Sequence, residues 1–265
     1  MNAAPILIFQ MQRMGDLVLS FPLLGWLGAL FPGHPLWVVG ERMFYEPLMP
    51  LSPRATYFDY AEAPDFRAQA FRAVINLSHR PEAAALAGQT RSDVLIGPHR
   101  DAEGRLFIRG DWQLYRASLT HNNRYNLFHW ADLNALDIIP ASLMLRTAWP
   151  LPRPLPGQDT RAPGTSLPIP KQGARIGLFL GASEPEKHPD ADFWAALTRS
   201  LLRAGHKPAL LGGPAEQTLG AAVAGKLKAP ALNLCGRFNV SGLAGFVGEL
   251  DLFVTPDTGP MHVAV

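Results

Sequence analysis

Lysine is missing from the first 170 residues of this chain, and cysteine occurs once, at Cys235. A lone cysteine excludes an intrachain disulfide framework, gives no cysteine-based zinc site and suits a reducing cytosol. Charge is sparse: 17% of the 265 residues are Asp, Glu, Lys or Arg, and the net charge is +2. The first 150 residues set 13 Arg against 13 Asp and Glu, so that part is neutral. Nothing resembles the basic stripe of a nucleic-acid-binding domain, and nucleic acid is not an expected partner. The charge-free run Leu17 to Phe31 is 15 residues long, short of the ~20 that a membrane-spanning helix needs. Asp16 abuts it and a strand-like segment precedes it, so it reads as a buried helix rather than a signal peptide. Neither a GxGxxG fingerprint nor a GxxxxGK[ST] loop occurs, which argues against NAD(P) enzymes and P-loop kinases.

What is present is apolar and turn-rich. Hydrophobic residues make up 48%, enough for a packed core, and 25 prolines with 24 glycines predict many turns. In the first half, strands are expected over 5–11, 36–41, 55–60, 73–78 and 91–97, with helices near 16–31, 42–48, 65–71 and 80–88. Continuous apolar strands alternating with helices imply a parallel sheet covered on both faces. Residues 98–126 read as a long polar loop with some local structure, and 126–137 as an amphipathic helix. Seven prolines between Pro150 and Pro170 mark an extended linker. The expected domains are therefore 1–149 and 171–265, joined by 150–170. After the linker, strands over 174–180, 207–211, 231–234 and 251–255 alternate with helices over 190–204, from 214, and over 240–250. The chain stops five residues into a further helix, so the second domain is expected to be incomplete.

In open α/β sheets, ligands bind beyond the carboxyl ends of the strands. The second half puts a polar or glycine-rich turn at each such end: Ser183 to Lys187, Gly212-Gly213 to Glu216, Gly236-Arg237, and Asp257-Thr258-Gly259 to His262. Lys187 offers a point charge to phosphate, Ser183 and Thr258 offer hydroxyls, and Glu216 suits a ribose hydroxyl better than phosphate. Together they describe a pocket for a nucleoside diphosphate. Taken singly, each is better explained as an ordinary turn, with Asp257 and Thr258 as helix caps, and that explanation weakens for four turns at one edge. In the first half, Gln12-Arg13-Met14-Gly15-Asp16 ends the first strand. There Asp16 either caps the following helix or accepts a proton from an attacking hydroxyl. Arginines 80, 91, 100, 105, 109, 116 and 124 sit among His79, His99, His121 and His129, a composition suited to phosphate or carboxylate ligands. Cys235 reads as a small buried hydrophobe.

The segments Ile6-Leu7-Ile8, Met14-Gly15-Asp16, Phe21-Pro22 and Phe31-Pro32-Gly33 resemble the opening of the ADP-heptose:lipopolysaccharide heptosyltransferases, glycosyltransferase family 9. So do Gly181-Ala182-Ser183 with Lys187, Phe193-Trp194, and Leu211-Gly212-Gly213-Pro214 with Glu216. Asp257-Thr258-Gly259-Pro260-Met261-His262 matches the family's most specific motif. The resemblance implies a GT-B fold of two Rossmann-like doubly wound domains, the C-terminal one truncated here. It implies an inverting, metal-independent transfer of heptose from ADP-heptose to the lipopolysaccharide inner core, with no cofactor. Asp16 then matches the catalytic base, while Ser183, Lys187, Gly212, Gly213, Glu216, Asp257, Thr258, Gly259 and His262 match nucleotide-sugar contacts. Arg13 and Arg80 are candidate contacts to an anionic glycolipid acceptor, in a cytoplasmic protein with peripheral contact at the inner membrane. Two departures stand out. Family members often carry a Trp two residues after the lysine, where this chain has Lys187-His188-Pro189, and they continue well past the Asp257–His262 motif. An inactive fragment that binds nucleotide, and a GT-B enzyme for another sugar nucleotide, remain the alternatives.

Overall fold

Apolar segments that read as continuous in the sequence become the inner strands of two parallel sheets. The computed structural model describes residues 3–119, 123–144, 173–182, 184–229 and 231–264. By internal contacts the chain divides into two units, Met1–Arg153 and Pro154–Val265. The expected proline-rich linker, 150–170, lies outside the described residues.

The first unit runs β1 (Ile6–Phe9), α1 (Met14–Val18), α2 (Phe21–Leu30), β2 (Leu36–Gly40), α3 (Arg42–Tyr45), β3 (Thr56–Asp59), β4 (Ala70–Asn76), α4 (Pro81–Gln89) and β5 (Arg91–Arg100). It continues through β6 (Leu106–Arg109), α5 (Asp111–Ser118), α6 (Trp130–Ala135) and α7 (Ala141–Met144). The sheet order is β3-β2-β1-β4-β5-β6, parallel except for β6, which runs antiparallel to β5. β1 lies at the centre, with Phe9 opposite Val39 on one side and Asn76 on the other, and all four of its residues are buried. One face packs Leu7, Phe9, Val39 and Val74 against Ala83, Leu86 and Ala87 of α4. Trp37, Phe58, Phe66 and Phe71 join this layer, with ring centroids 4.9–6.1 Å apart.

Several expectations need correction here. The run 16–31 is two helices, because the chain turns at Leu19-Ser20, where Ser20 Oγ donates to Leu17 O at 2.6 Å. The helix expected near 65–71 is a 3-10 segment, Tyr60–Ala68, started by the Asp59 carboxylate accepting from Ala61 N. The supposed loop 98–126 contains the end of β5, all of β6 and α5. The helix expected over 126–137 is confined to α6, because Asn126 folds back locally, its amide bonding the Phe128 main chain.

The second unit runs β7 (Arg175–Phe179), α8 (Ala191–Arg203), β8 (Lys207–Leu211), α9 (Gln217–Gly225), β9 (Leu232–Asn233), α10 (Val240–Val247), β10 (Leu252–Val254) and α11 (Gly259–Ala264). All four strands are parallel, in the order β10-β7-β8-β9. The two-residue period of a strand divides the side chains between the faces. Ile176, Leu178, Leu180 and Leu210 pack with Trp194 of α8 and Val223 of α9, whereas Phe179, Ala209 and Leu211 pack with Leu243 and Phe246 of α10. The sheet is therefore doubly wound, with a layer of helix on each side. Asp190 caps α8, its carboxylate accepting from Phe193 N at 2.8 Å. Among the described residues no helix is long and apolar enough to cross a membrane.

Candidate functional site

In the first sheet the order of connection reverses between β1 and β4, the switch point where doubly wound sheets bind ligands. Beyond β1, β2 and β4 lies a shallow cleft of about 360 Å³ whose lining includes Gln12, Arg13, Asp16, Glu41 and Arg80. Asp16 occupies the first turn of α1, whose N-cap is Arg13 and receives no side-chain hydrogen bond. Asp16 therefore lies inside α1 rather than at its N-cap. Gln10, which is 1% exposed, donates from Nε2 to the main-chain carbonyl of Asp16 at 3.1 Å and so ties α1 to the end of β1. Arg80 forms an ion pair with Glu41 at the rim.

The loop after β4 is fixed by a buried amide. Asn76 donates from Nδ2 to Pro98 O at 2.7 Å, and its Oδ1 accepts from Ser78 N at 2.9 Å. Ser78 Oγ in turn accepts from Arg80 N at 3.2 Å. β5 passes this corner at Gly97, whose φ is +93° and where any Cβ would collide with the Asn76 carbonyl oxygen. Leu77 O, at the same corner, accepts from Gln12 Nε2 at 3.2 Å and from the guanidinium of Arg116.

Arg116 is 2% exposed. Although it belongs to the arginine-rich stretch whose composition suits phosphate or carboxylate ligands, it points inward from α5 and its guanidinium is buried. Burial brings its pKa down to about 10, with the charge of Asp16 pushing it back up. His79 is pushed down to about 4, by desolvation first and by the Arg116 charge second, and is neutral at physiological pH. The remaining arginines of that group scatter among partners. Arg105 pairs with Asp101 and Glu103, Arg91 donates to Ala68 O, and Arg124 lies over the Tyr125 ring. Of the seven, Arg80 alone lines the cleft with Asp16. His121 lies outside the described residues. A larger hollow of about 830 Å³ opens at the opposite edge of the sheet, beside Leu36 and Thr56 at the starts of β2 and β3, and gathers none of the candidate residues.

In the second sheet the reversal falls between β7 and β10. Lys187, in the turn after β7, donates from Nζ to Asp257 Oδ2 at 2.7 Å, in the turn after β10, and lies 3.2 Å from Glu184 Oε2. These two bonds raise the lysine's pKa, Asp257 contributing most. The neighbouring turn is held by His188, whose Nε2 is 2.5 Å from Ala182 O. After β8, Glu216 folds back so that Oε2 accepts from Gly213 N at 2.7 Å. That fold requires glycine twice. A Cβ at Gly212 would sit 2.5 Å from Glu216 Cβ, and one at Gly181 would sit 2.8 Å from its Cδ. Cys235 is buried, and burial, with Glu216 adding to it, holds the thiol neutral at a pKa of about 11. Thr258 precedes α11, with its carbonyl accepting from Met261 N at 3.0 Å, and His262 lies on that helix. Ser183 lies outside the described residues. Among the described residues, no group of three or more His, Cys, Asp or Glu side chains is arranged to hold a metal ion.

Sequence reasoning thus located the strand-end turns, missed Asn76 and Gln113, and named Arg116 only as one of an arginine-rich stretch. The overlooked signal was a polar residue directly ending an apolar strand, as Asn76 does after Val74-Ile75.

Two tandem doubly wound α/β units, each with polar turns at its carboxyl edge, make up a mixed α/β architecture that matches GT-B-like folds. The chain belongs to glycosyltransferase family 9 (heptosyltransferase), whose family model matches residues 64–265. It is similar in fold to the family 9 glycosyltransferase of Veillonella parvula DSM 2008, at 20% identity and a TM-score of 0.66, covering 100% of this chain and 79% of that one. It is also similar to E. coli ADP-heptose lps heptosyltransferase II, at 17% identity and a TM-score of 0.65, covering 98% and 81%. E. coli heptosyltransferase WaaC, solved with ADP, matches at 18% identity and a TM-score of 0.64, covering 98% and 83%. No curated protein sequence matches the chain.

Proposed function

We propose that this glycosyltransferase moves heptose from ADP-heptose to an anionic acceptor, the inner core of lipopolysaccharide, with inversion and without a metal ion. Transfer is a single displacement. The acceptor hydroxyl attacks the anomeric carbon opposite the diphosphate, its proton passes to the Asp16 carboxylate, and the carbon–oxygen bond to ADP breaks as the new glycosidic bond forms. Lys187 and the turns at Gly212-Gly213 and Thr258-Gly259 take up the negative charge of the leaving ADP. Glu216 receives ribose hydroxyls on its remaining acceptor capacity, and Ser183, Asp257 and His262 complete the donor site. Arg13 and Arg80 meet acidic groups of the acceptor. The reaction runs on the cytoplasmic side of the inner membrane, where the glycolipid is reached peripherally.

What carries this reading is the position of Asp16, a carboxylate in the cleft beyond the switch point of the first sheet, in a chain of the heptosyltransferase family. Asp16→Asn keeps size and hydrogen bonding but removes the base. Turnover of ADP-heptose with a core-oligosaccharide acceptor should fall by about 10²–10⁴, while ADP binding by calorimetry stays as in the parent. Full turnover in that variant removes Asp16 from the role.

A further inference from the structure

Helix α5 is polar on the wrong side. It buries Gln113 and Arg116, each 2% exposed, while Leu114 between them is 57% exposed. A helix packed on a sheet ordinarily turns its apolar residues inward, and a buried guanidinium without a carboxylate against it costs desolvation that a Leu or Met would avoid.

The surroundings hold this arrangement in place. α5 starts at Gly110, φ +100°, where a Cβ would lie 2.5 Å from the Asp137 carboxylate. That carboxylate accepts from Trp112 N at 3.1 Å and Gln113 N at 2.8 Å, capping the helix from another part of the chain. Gln113 donates to Leu133 O at 3.0 Å, and its Oε1 receives Arg116 Nη1 at 2.9 Å. Arg116 Nη2 donates to Leu77 O, the guanidinium carbon lies 5.4 Å from the Trp130 ring centroid, and Nε is buried with no hydrogen-bond partner. The carbonyl it holds also receives Gln12, a residue lining the cleft with Asp16.

We propose that Arg116 is a positioning residue for Asp16: its guanidinium is a fixed, buried positive charge beneath the switch point that keeps the Asp16 carboxylate ionised and the loop after β4 in place. This rests on the reading of Asp16 as the base. Among the described residues, Arg13 at the N-cap of α1, Glu41 after β2 and Arg80 after β4 line the cleft with Asp16, His79 directly precedes Arg80, and Arg116 approaches from α5. Glu41 and Arg80 offset each other in their ion pair. His79 is neutral. Among these described groups, Arg116 is a cation that is buried, without a carboxylate in an ion pair, and coupled to Asp16 and His79 alike.

The test uses the full chain with Arg116→Met, Arg116→Gln and Arg116→Lys, each first shown to melt cooperatively. Asp16 is followed by carboxyl carbon NMR, assigned with Asp16→Asn, and by the acid limb of the pH profile of kcat/KM with ADP-heptose. The expected result is an upward move of about one pH unit in the neutral variants, with His79 rising alongside, and recovery toward the parent in Arg116→Lys. An Asp16 titration that stays put in a folded neutral variant overturns the proposal, as does failure of both neutral variants to fold, which makes Arg116 purely structural. Because the NMR titration needs no turnover, it stands apart from the base assignment. Should Asp16→Asn keep its activity, the base reading fails while the titration still reports whether Arg116 acts on Asp16.

Discussion

Asn76 shows how much one side chain can organise. It is fully buried, and its two bonds, to Pro98 O and from Ser78 N, join the end of β4 to β5 and start the loop that carries Arg80 to the rim. Asn76→Ala leaves a buried carbonyl and a buried amide without partners, at a cost of about 1–3 kcal/mol each if water does not enter. The expected outcome is a lower denaturant midpoint together with a loss of transfer larger than that stability loss explains, since this loop carries Arg80 into the lining of the cleft. A variant destabilised yet fully active at low temperature would show that the loop's register is held by other contacts. Gly212 and Gly181 act in the same local way, because Glu216 reaches Gly213 N only over residues without a Cβ.

At the level of elements, Gly97 has the sharper consequence. β5 needs φ +93° there to pass Asn76, so Gly97→Ala meets both left-handed strain and a collision with main chain. A loss of about 3 kcal/mol is expected, read as a fall in the unfolding midpoint; a loss under about 1 kcal/mol would mean the β4–β5 corner yields easily. Such elements also show what the sequence could and could not reveal. β1, β2, β7 and β8 are buried on both faces, so their apolar runs are unbroken and legible, and the turn glycines beyond them marked the candidate ligand edge. β6 and α5 were read as loop because β6 is an edge strand with exposed Leu106 and Phe107, and because α5 inverts the apolar pattern by which helices are recognised. Arg116 was hidden for the same reason: nothing in a polar stretch distinguishes a buried guanidinium from a solvated one until Leu77, Gln113 and Trp130 are brought around it.

Across the whole molecule, both sheets tie the loop after their first strand to the loop on the far side of the switch point, but with opposite chemistry. In the first unit the tie is Gln12 and Arg116 on Leu77 O, inside the protein and built to stay. In the second it is the Lys187–Asp257 pair, with side chains 37% and 63% exposed. An exposed ion pair is screened by salt and contributes little to stability, so its lysine can exchange a carboxylate for a ligand's diphosphate at small cost. Lys187→Ala should therefore leave the melting temperature of the free protein nearly unchanged while weakening ADP binding about tenfold, the size expected for one charge-assisted contact to phosphate. Calorimetry at two salt concentrations checks it: the parent's affinity should fall with salt more steeply than the variant's. Equal ADP affinity in parent and variant would take Lys187 out of the donor site and leave the pair with Asp257 as its whole role.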